Sequence, residues 1–220
     1  MIKLSNNIQN KLLNLPESGM GYQIVEATFS DKSKKEAIVF NATIAEPTNN
    51  RSIEQIFKSI RTESLDSIYE SASVSYDIID VRMKEDKGIF KSAGTRMIDE
   101  AKGAKSSSIE YTEKGEYFIR FSHYEDDKRI DKRNKKVLPG TYATTSEDAK
   151  YCLDNNVDPR ARYALPNNLT IEYTFHITPE EDTQIKRGTV EPANNQPGGG
   201  EEVLFPEGTN NNSVIKTQKL

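Results

Sequence analysis

Apolar and polar residues change period along this chain, and each change marks a different kind of element. From Tyr22 to Phe29, and again from Ala37 to Ile44, they alternate every second residue, with the polar stretch Ser30 to Glu36 between the runs. The spacing predicts two antiparallel strands forming a half-buried hairpin, with Ile38, Phe40, Ala42 and Ile44 on one face. Ahead of them a short amphipathic segment ends at Leu15-Pro16, and Glu17 to Gly21 read as a turn. After Asn50 the period becomes helical through Ile53, Ile56, Phe57, Ile60, Leu65, Ile68 and Tyr69, behind a capping box at Ser52 to Gln55. This predicts one helix over about 52 to 70, followed by a strand from Val74 to Met83.

Residues 84 to 108 are polar and interrupted by Gly94 and Gly103, so the domain boundary is placed there. The division is an accessory α+β region over 1–105 and a second domain over 106–220. In the second domain, Tyr117 to Ser122 and Ile171 to Ile177 alternate as strands. Ser146 to Leu153 reads as a short helix entered through Thr145. Pro192 to Gly200 is a loop, and the Asn-rich end beyond Thr209 is expected to be loose. The fold class is α+β, rich in strand.

Composition narrows the function classes. The chain has 220 residues of which 35% are hydrophobic, so its core must be compact. It has no apolar run of membrane-spanning length, and Met1 to Asn7 lack the apolar core of a secretory signal. The expected address is cytoplasmic, or exported without a cleavable signal, with no membrane partner. Cys152 is the single cysteine, which excludes an internal disulfide, and with only His123 and His176 available no metal site is expected. A net charge of -4 gives no general attraction for nucleic acid. The basic run Lys128 to Lys136 follows Glu125-Asp126-Asp127 and carries no interleaved aromatic residues, so it reads as a solvated loop.

Candidate chemistry lies in three places. Gln196-Pro-Gly-Gly-Gly-Glu-Glu-Val-Leu-Phe205 sets two carboxylates at the mouth of an apolar strand, where Glu201 and Glu202 must point to opposite sides. Arg120 shares its strand face with Phe118 and Ser122, and a guanidinium there needs either a protein carboxylate or an anionic ligand such as a pyrophosphate. Between them, Pro139 to Tyr151 presents Tyr142, suited to stacking on a flat heterocycle, and Thr144 and Thr145 beside a helix N-terminus. Together these suggest an enzyme acting on a phosphate-bearing nucleotide.

This order of motifs, from residue 117 to 209, resembles the ADP-ribosyltransferase superfamily. The tail is similar to the necrotizing-toxin type of NAD glycohydrolase through Arg162-Tyr-Ala-Leu-Pro166 and Asn195-Gln-Pro-Gly-Gly-Gly200. The resemblance implies an ADP-ribosyltransferase-like C-terminal domain with NAD as substrate. It implies that Arg120 engages NAD near its pyrophosphate, and that Tyr142, Thr144 and Thr145 support the nicotinamide pocket. Arg162 and Gln196 would be further substrate contacts. It also implies that Glu202 stabilises the oxocarbenium-like transition state, at a position where the toxin-type relatives carry glutamine, with Glu201 as its solvent-facing neighbour. Position 200 is Gly, not the Gln or Glu that transferases often use to orient an acceptor, which favours transfer to water, or to an unusual acceptor, over modification of a protein side chain. On this reading Arg120, Tyr142 and Glu202 converge on one cleft. The alternative is a non-catalytic β-rich module that binds a nucleotide, or a protein through the N-terminal hairpin.

Overall fold

Among the described residues, two antiparallel sheets form the framework, one on each side in the chain of the polar stretch 84 to 108. The structure is a computed structural model and describes residues 2–30, 32–47, 78–83, 109–165, 170–190, 192 and 196–220. The helix expected over 52 to 70, the first residues of the strand expected from Val74, and the boundary near 105 lie outside the described residues.

The first sheet has five strands in the order β1 (Ile2–Lys3), β4 (Ile44–Pro47), β3 (Lys34–Phe40), β2 (Tyr22–Phe29) and β5 (Ile78–Met83). Helix α1 (Asn6–Leu13) is capped by Ser5, whose side chain accepts from the Ile8 amide. It lays Ile8 and Leu12 against Val25, Ala27, Ala37 and Val39.

The single strand expected from Ala37 to Ile44 is two strands. Asn41 and Ala42 take left-handed conformations, with φ of 48 and 54, and the Thr43 amide closes the turn on the Phe40 carbonyl. Ala42 therefore joins the cluster of Val39 and Ala45 rather than the face of Ile38. Alternation of side chains registers apolarity but not a tight turn between apolar residues.

The second sheet has seven strands, in the order β14 (Val214–Lys219), β11 (Tyr173–Ile177), β7 (Phe118–Ser122), β10 (Thr141–Thr145), β13 (Glu201–Phe205), β12 (Gln184–Thr189) and β6 (Glu110–Tyr111). One face carries Ile119, Phe121, Tyr142 and Leu204. It is covered by α2 (Ser146–Asp154), by the residues after α3 (Pro159–Arg162), and by Met20 from the N-terminal region. The other face carries Phe118, Ala143, Phe175, Val203 and Phe205 beneath a small hairpin, β8 (Ile130–Asp131) and β9 (Lys136–Val137).

Two expectations fail in this half. The basic run is not simply a solvated loop, because Arg129 is 3% exposed and Ile130 belongs to the core. The end beyond Thr209 is not loose, since β14 pairs with β11 from Val214 to Lys219. Backbone pairing needs no apolar side chains, so a polar strand at a sheet edge leaves little trace in hydropathy. No helix of the described residues is long and apolar enough to cross a membrane.

Candidate functional site

The strand register decides which side chains can meet. Thr144 lies opposite both Ile119 and Glu202, and Ile119 lies opposite His176, so these residues share the face that carries Tyr142 and Leu204. Arg120, one residue along from Ile119, starts from the opposite face beside Phe118. The pairing of β7 with β10 stops after Thr144↔Ile119. Beyond that point the Tyr142 amide donates to Glu17 at 3.2 Å, and its carbonyl accepts from Arg120 at 2.8 Å. A side-chain ion pair therefore satisfies the Tyr142 backbone where the two strands part.

That ion pair is complete. A guanidinium has five N–H donors. In Arg120, Nε donates to Asp127 at 2.8 Å, Nη1 to Glu17 at 2.9 Å and to the Tyr142 carbonyl, and Nη2 to Glu17 at 3.0 Å and to Asp127 at 3.3 Å. Arg120 is 1% exposed, Asp127 2% and Glu17 5%. Burial works against the guanidinium charge, but Asp127 and Glu17 outweigh it and push the Arg120 pKa up.

The Glu17 carboxylate also accepts from the Gly21 amide at 3.0 Å. Arg129 Nε lies 3.8 Å from it. Arg129 in turn donates to the carbonyls of Leu13, Leu15 and Pro139, tying the segment after α1 to the second sheet. The segment enters closely: a Cβ on Gly140, whose φ is +74, would lie 2.5 Å from Pro16 Cα.

Glu202 is the opposite case. It is 1% exposed, and its Oε2 has no hydrogen-bond partner among the described residues. Burial pushes its pKa up to about 8, the Glu17 carboxylate adds to this, and Arg120 opposes it. At neutral pH the side chain is therefore mainly a neutral carboxylic acid.

Glu201 faces outward and is held. Thr145 Oγ1 donates to its Oε2 at 2.9 Å, Thr144 Oγ1 donates to its carbonyl at 2.6 Å, and its amide donates to Asp148 at 3.1 Å. Thr145 also caps α2 by accepting from the Asp148 amide. Asp148 holds Arg162, whose guanidinium lies 5.0 Å from the centroid of the Tyr151 ring.

The glycine loop docks beside this group. The amides of Gly198 and Gly200 donate to the carbonyls of Ala161 and Arg162. A Cβ at position 200 would come within 2.6 Å of the Tyr163 ring, so glycine there is a packing requirement.

The fold brings Arg120 against the Tyr142 backbone and within electrostatic reach of Glu202, but around the Glu17 carboxylate rather than an open cleft. Arg120 has no donor left for a phosphate, because Glu17, Asp127 and the Tyr142 carbonyl take them. The Tyr142 ring is fully buried against Phe121 and Leu204, so it cannot stack on a ligand. Thr144 turns inward, whereas Thr145, Glu201 and Arg162 gather at the rim with Asp148. Gln196 is half-buried at the start of the glycine loop.

Sequence reasoning missed Glu17, Asp127, Arg129, Asp148 and Tyr163. Asp127 and Arg129 lay in charge runs read as a solvated loop, and Glu17 lay in a stretch read as a turn, so none of them was tied to Arg120. No family model, no curated protein and no solved structure matches the chain.

Proposed function

We propose that the seven-stranded unit is an NAD-handling domain of the ADP-ribosyltransferase kind that cleaves the nicotinamide N-glycosidic bond, with water as the favoured acceptor. The observation that carries this reading is Glu202: a buried carboxyl, left without a partner for Oε2, at the end of the glycine loop whose motif suggested NAD. In a region where Thr144, Thr145, Glu201 and Arg120 are all bonded, such a group marks a place kept for a ligand.

As a neutral acid Glu202 offers one donor and one acceptor, as glutamine does in the toxin-type relatives. A cationic nicotinamide bound beside it would lower its pKa and favour the carboxylate. That charge would then face the positive charge that develops on the ribose. Glu201, fixed by Thr145 and by its own amide, holds the strand mouth in place, and Gly200 leaves no side chain to orient a protein acceptor. Incubating the full chain with NAD and measuring free nicotinamide tests the reading: release is expected from the wild type and is lost in Glu202→Ala. Undiminished release by a folded alanine variant removes Glu202 from the mechanism.

The saturated Arg120 favours a second reading, a module that binds a nucleotide or a protein without turnover. In that case its guanidinium serves as a strut between the two sheets. A titration in which NAD binds and no nicotinamide appears selects this alternative.

A further inference from the structure

The Glu17 carboxylate sits as a bound anion would. It receives paired donors from Arg120, a backbone N–H from Tyr142 on a strand of the second sheet, and a backbone N–H from Gly21 on its own turn. A planar fork of donors with converging amides is the arrangement by which proteins hold carboxylates and phosphates. The group that fills it arrives on an irregular segment, Leu15 to Gly21, inserted where β7 and β10 separate. Gly140 has no side chain at the point where Pro16 passes.

Charge supports the comparison with a ligand. Arg120 and Arg129 face Glu17 and Asp127, so the buried group is balanced only while Glu17 is present. With Glu17 withdrawn, two guanidinium groups would remain against one carboxylate, an arrangement that strongly favours uptake of another anion.

We infer that residues 15–21 form a removable strap, in which Glu17 holds the place of an anionic group of the ligand and keeps the site closed until the strap is displaced. The ligand class is a pyrophosphate-bearing nucleotide; this part of the inference rests on the NAD-handling reading, whereas the strap itself rests on the contacts around Glu17. The wild-type chain is then mostly closed, and ligand binding and turnover by it pass through the minor fraction in which the strap is displaced. Whatever draws the N-terminal segment away frees donors of Arg120 and opens the gap between β7 and β10 beside Tyr142.

The test compares the full-length wild type with Glu17→Ala and Glu17→Gln, titrating inorganic pyrophosphate and ADP-ribose by calorimetry. Both variants are expected to bind about tenfold more tightly or better, since a buried guanidinium deprived of its carboxylate gains affinity for an anion that can reach it. A second measurement needs no variant: in the wild type, saturating ADP-ribose is expected to speed hydrogen exchange at the Glu17 and Gly21 amides, which the strap now protects. Folded variants with unchanged affinity overturn the inference, as does ligand binding that leaves these two amides as protected as before. If the variants do not fold, the exchange measurement decides alone, and absence of any binding by the wild type then counts against the strap.

The two proposals fail in different ways. Tighter pyrophosphate binding without nicotinamide release from NAD by any of the three proteins sinks the enzymatic reading and leaves the strap. Equal nicotinamide release by wild type and variants does the reverse.

Discussion

Two fully buried charge-bearing groups, Arg120 and Glu202, lie within electrostatic reach of one another, and the protein treats them in opposite ways. Around Arg120 every donor is used, and two carboxylates oppose its charge. Around Glu202 no cation forms an ion pair among the described residues, and the charge is removed by protonation instead. Both arrangements avoid an isolated charge in a medium of low polarity, which costs several kcal/mol or more. They differ in what they leave behind: a closed network ties parts of the chain together, whereas a neutral acid with a vacant oxygen can still respond to a ligand.

The severest way to break the comparison is to remove its paired member. Arg120→Ala strands Glu17 and Asp127 together in the interior, and a loss of about 3–5 kcal/mol is expected by denaturant unfolding. Retention of wild-type stability would mean that the ion pair is not the tie between the two sheets.

The second prediction concerns pH and the unpaired member. Glu202 has a folded pKa of about 8 against an ordinary 4.5, so the folded chain keeps a proton that the unfolded chain releases. Its stabilising share is complete below the unfolded value and is lost as pH rises through the folded value. Stability should therefore fall between about pH 5 and pH 8, with a slope from this group approaching 1.4 kcal/mol per pH unit. Glu202→Gln should flatten that slope and leave the variant more stable than the wild type near about pH 9, by a few kcal/mol at most. Parallel pH profiles for the two proteins would show that Glu202 ionises normally.

Smaller changes test how the rim supports the strand that carries Glu202. Gly200→Ala forces a methyl against the Tyr163 ring and the Arg162 carbonyl, at 2.6 and 2.8 Å. A cost of about 1–3 kcal/mol in thermal unfolding is expected, in line with overpacking elsewhere. Thr145→Ala removes both the cap of α2 and the hydrogen bond to Glu201. About 1 kcal/mol should be lost, with little change in the pH slope attributed to Glu202.

Much of the local structure was legible. The cap at Thr145, the alternation in β2, β7 and β11, the short helix α2 and the opposite directions of Glu201 and Glu202 all follow from rules acting over a few residues. The turn at Asn41-Ala42 and the polar strand β14 were not, because one interrupts an unbroken apolar run and the other is held by backbone pairing alone. At the site, the strand period placed Arg120 among apolar neighbours and raised the need for a partner, without naming it.

One partner, Asp127, lies seven residues on, and the other, Glu17, lies 103 residues away on a segment with the look of an ordinary turn. Nothing in the hydropathy of either stretch connects them. What the amino-acid sequence determined by itself is the set of elements, the faces their side chains take, and the residues able to carry charge. Tertiary structure alone decided that Glu17 rather than a ligand meets Arg120, that the Tyr142 ring is enclosed, and that Glu202 is desolvated enough to keep its proton. The physical reason is range: periodicity and capping act through neighbouring peptide units, whereas ion pairing and desolvation depend on which distant surfaces come together.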